Sequence, residues 1–177
     1  MKTKIFLLIL LCGSLLFVTS CDIFEDVEAP GSSKSYLVSY DQYKSYLPDF
    51  IEAAMDLFSN EYPELELVKN KVDNGVIIYK ITYNTTFNGE SKLASGLVCV
   101  PSGTGTYPIL SYQNGTNTLH NNAPSVNPDN ELYLLLEFMA STGFIVSIPD
   151  YLGFGVADDM FHPYLHKEST VQSVTDM

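Results

Sequence analysis

Two short apolar runs, separated by a helix-like segment, dominate the middle of the sequence. The first is Pro108 to Tyr112, followed by Asn114-Gly115, and the second is Phe144 to Ile148. Short apolar runs bounded by turn-forming residues are typical of buried strands. Between them, Asp129 to Ser141 carries apolar residues at helical spacing, with Asp129 as a possible cap, and is followed by Gly143, where a helix would end. The pattern predicts a strand–helix–strand unit with parallel strands and a right-handed crossover.

The segment before this unit has the pattern of an antiparallel hairpin. Apolar and polar residues alternate from Val76 to Thr86, and Leu93 to Val100 forms a second apolar run. Asn88-Gly89 lies between them and favours a tight turn. The chain is therefore predicted to be of the α/β class, with an antiparallel hairpin leading into parallel strands.

Helices are expected upstream of the hairpin. Ser39 and Gln42 have the spacing of a capping box, which predicts that a helical segment opens there. Pro48 either interrupts that segment or occupies the first position of a second helix. Beyond it, an apolar face running from Ile51 to Phe58 is expected to cover the core.

The order of these motifs resembles that of the α/β-hydrolase fold, and within it the secretory-lipase group with its bacterial relatives. The resemblance is carried by YPILSYQNGT at Tyr107 to Thr116, by Ala123 to Ser125, and by GFIVSIPDYLGFG at Gly143 to Gly155. It implies a serine hydrolase that cleaves small-molecule esters by acyl transfer, with a peptidase as the nearest variant, and it implies no cofactor. Residues 37–177 would be the N-terminal portion of such a domain.

The nucleophile motif of that fold does not occur in the sequence. G-x-S-x-G would place the catalytic serine after the fifth strand, with the acid and the histidine later still, and none of the 177 residues forms it. We therefore expect an N-terminal fragment of a hydrolase, with an incomplete sheet and no activity alone. Its strand at 108–112 would be an apolar edge open to self-pairing.

The resemblance also indicates residues that would serve an active site. Gln113, Asn114, Gly115 and Thr116 follow a parallel strand, at the end of an open α/β sheet where ligands bind. The backbone N–H of Thr116 is expected to stabilise an oxyanion, Gly115 to allow the main chain to approach it, and the two preceding residues to shape the loop. The alternative is a plain type I′-like turn.

A second candidate segment, Asp150 to Gly155, ends the next strand. Asp150 is expected to hydrogen-bond local backbone, and the glycines are expected to adopt left-handed geometry. In the fold that the sequence resembles, this loop lines the mouth of the active site. Tyr151 and Phe154 are therefore candidate substrate contacts.

Metal and nucleic-acid binding are both disfavoured. His162 and His166, near Asp158 and Asp159, could share a helix face, but Pro163 disturbs that turn and no H-E-x-x-H motif is present. We expect both histidines to hydrogen-bond neighbouring backbone and no metal to be held. With 9 Lys+Arg against 21 Asp+Glu, and a net charge of −12, the chain has no electrostatic footprint for nucleic acid.

Residues 1–20 have the organisation of a bacterial lipoprotein signal peptide. Lys2 and Lys4 precede an apolar stretch that is too short for a comfortable transmembrane helix. Leu16 to Cys21 resembles a lipobox, which would make Cys21 the lipidated first residue of the mature chain. The alternative is ordinary cleavage nearby, which leaves Cys21 a plain thiol.

The lipoprotein interpretation also predicts a flexible linker and a cellular localisation. Residues 21–36 are polar, acidic and broken by Pro30 to Ser33, which predicts a flexible linker. The protein is expected in the cell envelope, anchored by lipid in the outer membrane or on the periplasmic face. Cys99, in an apolar strand, is expected to be a small buried hydrophobic residue.

Two other functions remain open from the sequence. One is a non-enzymatic surface lipoprotein that binds a glycan, a lipid or a protein partner. The other is a relic gene fragment. A G-x-S-x-G downstream of the sequence would favour the enzyme, and its absence would favour either alternative.

Overall fold

A computed structural model describes residues 36–177. The predicted signal peptide, the lipidation residue Cys21 and nearly all of the predicted linker lie outside the described residues.

Five strands and four α-helices form residues 36–177. The strands are β1 (Leu37–Tyr46), β2 (Val76–Phe87), β3 (Glu90–Pro101), β4 (Ile109–Ser111) and β5 (Ile145–Pro149). The α-helices are α1 (Pro48–Phe58), α2 (Leu65–Lys69), α3 (Glu131–Met139) and α4 (Lys167–Thr175). Short 3₁₀ turns lie at His120–Asn122, Ala140–Thr142 and Gly155–Ala157.

The strands form one mixed sheet in the order β1-β2-β3-β5-β4. Neighbouring strands are antiparallel except β4 and β5, which are parallel and connected through α3. Asn88 and Gly89 have φ values of 52° and 80°, as the predicted tight turn between β2 and β3 requires. The α/β class, the hairpin and the strand–helix–strand unit are thus confirmed.

The prediction that a helix begins at Ser39 is wrong, because this segment is strand β1. Its residues pair with β2 along nearly their whole length, from Leu37 opposite Tyr83 to Tyr46 opposite Val76. The long ladder outweighs the local capping-box pattern, since each paired residue gains backbone hydrogen bonds that depend on a distant strand. Of the two roles considered for Pro48, the structure shows the first position of a helix, α1.

The predicted central helix is present but begins later than its sequence suggested. Asn130 caps α3 by accepting a hydrogen bond from the backbone N–H of Leu132 at 3.1 Å. Asp129, the predicted cap, instead accepts hydrogen bonds from Tyr43 (2.7 Å) and Lys44 of β1. Gly143, with φ of 95°, follows the last helical turn as predicted.

The apolar run at 108–112 is shorter and more exposed than a buried strand. Only Ile109–Ser111 is paired, and β4 lies at one edge of the described sheet. Ile109 is 70% exposed. An apolar edge of this kind is open to pairing with a further strand.

The main core lies between the sheet and helices α1 and α3. It is formed by fully buried apolar side chains, among them Ile51, Ile78, Leu97, Phe138 and Val146. Cys99 belongs to this core with no exposed surface, and burial raises the pKa of its thiol, which confirms the prediction of a small buried hydrophobic residue. No helix within residues 36–177 has the length and apolar character needed to cross a membrane.

Glu137 on α3 is an ionisable group inside this core. Its side chain is 1% exposed, and its Oε1 has no hydrogen-bond partner within residues 36–177. Burial, reinforced by the charge of Asp129, raises the pKa of Glu137 to about 8, while Lys44 opposes the shift. The carboxyl group is therefore mostly protonated at neutral pH.

Because Glu137 is buried, we expect the free energy of unfolding to fall as pH rises. The folded state binds more protons than the unfolded chain between the ordinary pKa of 4.5 and the folded value of about 8, so the free energy of unfolding decreases through that window. Glu137→Gln should remove most of this dependence and be more stable than wild type at pH 9 by, to order of magnitude, a few kcal/mol. Urea unfolding of both proteins at pH 5 and pH 9 measures the difference.

Glu52→Gln, on the exposed face of α1, is the matched control and should leave the pH dependence unchanged. Equal pH dependence in the wild type and in Glu137→Gln would contradict the assignment.

Candidate active site

The loop that follows β4 is held against the end of β5. Asn114 donates from Nδ2 to the carbonyl oxygen of Pro149 at 2.7 Å. Tyr151 donates from its hydroxyl to Oε1 of Gln113 at 3.1 Å. The hydroxyls of Thr116 and Tyr164 lie 3.0 Å apart. Three side-chain contacts thus fix a segment that has no regular secondary structure.

The backbone of this loop leaves donors free. The N–H groups of Gly115 and Thr116 make no hydrogen bond within residues 36–177, and both residues are exposed. Because backbone N–H groups are strong donors, these two are available to a ligand at the carboxyl end of the parallel strands.

The surrounding structure does not require a glycine at position 115. Neither Asn114 nor Gly115 has a positive φ, so the alternative of a type I′-like turn is wrong. A Cβ atom added at Gly115 would meet no heavy atom within 4 Å. The space beside this glycine is open, as an approach by a ligand would require.

Asp150, at the end of β5, is the centre of a buried hydrogen-bond network. It is 1% exposed, and its Oδ1 accepts from the backbone N–H of Ser125 at 2.8 Å. Its Oδ2 accepts from the hydroxyls of Ser95 and Ser125. Burial raises the pKa of Asp150, and the hydrogen bonds from the two serines oppose that shift. The expected contact with local backbone is wrong, because the partners are far away in sequence.

The turn after Asp150 is built on left-handed backbone. Gly153 and Gly155 have φ values of 90° and 59°, which confirms the prediction for both glycines. Tyr151 also has a positive φ, 67°, an unfavourable conformation for a residue with a bulky side chain. Its hydroxyl bond to Gln113 and the stacking of its ring on His162, with centroids 6.2 Å apart, hold it there.

A cleft of about 800 Å³ opens beside the loop. Phe154 contributes to its wall but is only 4% exposed, and its ring packs against those of His120 and His162 at centroid distances of 5.4 and 4.9 Å. A smaller hollow of about 300 Å³ adjoins it and is lined by eight residues: Asn114, Gly115, Thr116, Tyr151, His162, Tyr164, Leu165 and Thr170.

The structure therefore brings most of the candidate residues to one place. Asn114, Gly115, Thr116 and Tyr151 line the smaller hollow, and Gln113 supports it through Tyr151. Phe154 lies in the neighbouring cleft. The sequence pattern indicated His162 only as a possible metal ligand and gave no signal for Tyr164 or Leu165, which also line the hollow.

The two histidines hydrogen-bond neighbouring backbone, as predicted. Nδ1 of His162 lies 2.7 Å from the carbonyl oxygen of Leu152, to which it donates. His166 caps α4, its Nδ1 accepting from the backbone N–H of Ser169 at 3.2 Å. Within residues 36–177, no three metal-ligating side chains of the His, Cys, Asp or Glu type come together.

The chain was compared with protein families, with curated proteins and with solved structures, and only the solved structures gave matches. No protein-family model matches the chain. No curated protein matches it either. The chain does match solved structures of the rice cell wall degrading esterase LipA from Xanthomonas oryzae. One crystal structure has 28% sequence identity and a TM-score of 0.65, and a ligand-bound form has 29% identity and a TM-score of 0.65. A mutant form has 27% identity and a TM-score of 0.66.

Each match covers 82% of this chain and 36% of the esterase chain. The chain thus spans about a third of the length of the esterases that it matches. The similarity confirms the predicted hydrolase-like α/β fold.

Gly155 is predicted to be essential to the Asp150 network. An added Cβ would lie 2.1 Å from both Oδ2 of Asp150 and Oγ of Ser95, on a backbone with positive φ. Gly155→Ala should therefore lower the free energy of unfolding by about 3 kcal/mol or more. Gly115→Ala is the matched control and should change stability by less than about 1 kcal/mol. Chemical denaturation of both variants tests this, and equal losses would contradict it.

Proposed function

We propose that residues 37–177 form the oxyanion-binding part of a secreted carboxylic ester hydrolase. The observation that carries this proposal is the pair of N–H groups at Gly115 and Thr116, which have no partner within residues 36–177 and lie on a loop held at the carboxyl end of the parallel strands. The structural similarity to an esterase supports it, since that protein combines the same type of fold with cleavage of esters.

The chemistry follows from what acyl transfer requires. A serine hydroxyl attacks the ester carbonyl while a histidine accepts its proton, and negative charge develops on the carbonyl oxygen. The N–H groups of Gly115 and Thr116 donate to that oxygen, and they do so best when they need not reorganise. The contacts of Asn114 with Pro149 and of Tyr151 with Gln113 provide this rigidity.

The nucleophile must come from a G-x-S-x-G motif, which these 177 residues do not contain. We therefore propose that the 177 residues alone do not hydrolyse esters. The complete product of the reading frame that contains them is the protein to assay.

Removing one N–H group tests the oxyanion role. Thr116→Pro deletes the backbone donor, and we expect kcat on p-nitrophenyl esters to fall by about 10²- to 10³-fold. Thr116→Val removes only the hydroxyl that contacts Tyr164 and is the matched control, with kcat within about threefold of wild type because the N–H remains.

Two further results bear on the proposal. Loss of activity on replacing the G-x-S-x-G serine would assign the activity to this site. A reading frame without that motif, or equal kcat for wild type and Thr116→Pro, would overturn the proposal. The first of these outcomes would favour a non-enzymatic surface lipoprotein or a relic.

We propose further that Cys21 carries the lipid that anchors the protein in the cell envelope. Support comes from the lipobox-like run ending at Cys21 and from the polar, acidic residues that follow. Cys21→Ser should abolish incorporation of labelled palmitate and release the protein from the membrane fraction. Cys12→Ser, inside the signal, is the control that should keep the label. Labelling of both variants would contradict lipidation at Cys21.

A further inference from the structure

The hydroxyl of Tyr151 reaches the main chain of the loop after β4 as well as a side chain. It donates to Oε1 of Gln113 at 3.1 Å and lies 3.5 Å from the carbonyl oxygen of Asn114, the acceptor of a second, longer bond. Tyr151 itself is only 8% exposed. A buried side chain is thus linked to the peptide group that joins Asn114 to Gly115.

The contact with the Asn114 carbonyl sets the direction of a hydrogen-bond donor. A trans peptide group is planar, and its C=O and N–H point in opposite directions. The carbonyl of Asn114 and the N–H of Gly115 belong to the same group, so a carbonyl turned towards Tyr151 turns that N–H away from it. This N–H has no partner within residues 36–177, and the space beside Gly115 is open.

Little else within residues 36–177 opposes rotation of this peptide group. No other hydrogen bond there holds the Asn114 carbonyl. The side chain of Asn114 bonds the Pro149 carbonyl, which fixes the residue but not the direction of its own carbonyl. Gly115 has a φ outside the left-handed region, and a half-turn of the peptide would give it a φ that glycine tolerates. The rotated group would present a carbonyl oxygen where an oxyanion forms.

The position of the Tyr151 hydroxyl is maintained against backbone strain. The φ of Tyr151 is 67°, and its ring stacks on His162 at an interplanar angle of 16°. His162 is in turn bonded to the carbonyl oxygen of Leu152 at 2.7 Å. Strained backbone persists where its surroundings enforce it, and it is concentrated at functional sites.

We propose that Tyr151 is a positioning residue, whose hydroxyl keeps the Asn114–Gly115 peptide group in the orientation that presents the Gly115 N–H to an oxyanion. The effect on catalysis rests on the proposed function, whereas the orientation of the peptide group does not. Without the hydroxyl both orientations are populated, and only molecules that present the N–H receive its stabilisation.

Tyr151→Phe, made in the complete reading-frame product, removes the hydroxyl and keeps the ring. We expect kcat on p-nitrophenyl acetate to fall about tenfold, which corresponds to a rotated peptide in about nine of ten molecules. KM should stay within about twofold of wild type, because the oxyanion forms only in the transition state.

Tyr83→Phe is the matched control. It removes a buried hydroxyl that donates to the carbonyl oxygen of Ser173 at 2.8 Å, between β2 and α4. It should leave kcat within about twofold of wild type, since the donors at the loop are untouched. Equal kcat for wild type and Tyr151→Phe, or an equal fall in Tyr83→Phe, would overturn the proposal.

Gly115→Ala tests the rotation itself. Alanine rarely adopts the backbone conformation that a rotated peptide would impose at this position, so the substitution should disfavour rotation. In the Gly115→Ala background, Tyr151→Phe should therefore lower kcat by less than about threefold. An equal fall in both backgrounds would contradict a peptide rotation.

Nuclear magnetic resonance separates this proposal from the esterase function. Labelling with carbonyl-¹³C asparagine and ¹⁵N glycine selects the Asn–Gly peptide groups, of which the 177 residues contain three. Tyr151→Phe should broaden or double the Asn114–Gly115 signal, which Gly115→Ala identifies by removing it. An unchanged signal would reject the role of Tyr151 whether or not the protein hydrolyses esters. A changed signal in a protein without hydrolysis would reject only the esterase function.

Discussion

The buried carboxylate of Asp150 lies where three segments of the chain meet. Ser95 comes from β3, Ser125 from the stretch between β4 and α3, and Gly155 from the turn after β5. A carboxylate away from water is costly unless its oxygens are satisfied, and here three donors converge on it. The cost of burial thereby enforces one arrangement of the sheet end, because any other arrangement leaves the charge without partners.

That arrangement determines the geometry of the neighbouring loop. Residues on either side of Asp150 hold the loop after β4: the Pro149 carbonyl through Asn114, and the Tyr151 hydroxyl through Gln113. The positive φ of Tyr151 costs energy, and it persists because its surroundings hold the side chain. Strain and hydrogen bonding together hold the loop in a conformation in which the N–H groups of Gly115 and Thr116 have no partner within residues 36–177.

The sheet and the loops contribute different features to this molecule. The structural similarity to known proteins extends over 82% of this chain and supports its fold. The side chains that line the cleft beside the loop after β4 come from loops, and Asp158, Asp159 and Phe161 give the cleft its acidic and aromatic character. The fold therefore determines where the cleft lies, and the loops determine which side chains line it.

Features with local causes could be predicted from the sequence by itself. Asn88-Gly89 makes its turn because both residues tolerate positive φ, Pro48 begins α1 because it needs no N–H partner there, and Gly143 follows the end of the α3 segment. The loop at 113–116 was a candidate because it follows a parallel strand, where ligands bind, and because the sequence resembles the α/β-hydrolase fold.

Only the tertiary structure decided the rest. Ser39 lies in a strand because β2 supplies its hydrogen bonds, and Asp150 bonds Ser95 and Ser125 across 55 and 25 residues of sequence. Asp129 reaches Lys44 instead of capping α3. These contacts form between residues that folding brings together, and a local pattern contains no information about a partner so far along the chain.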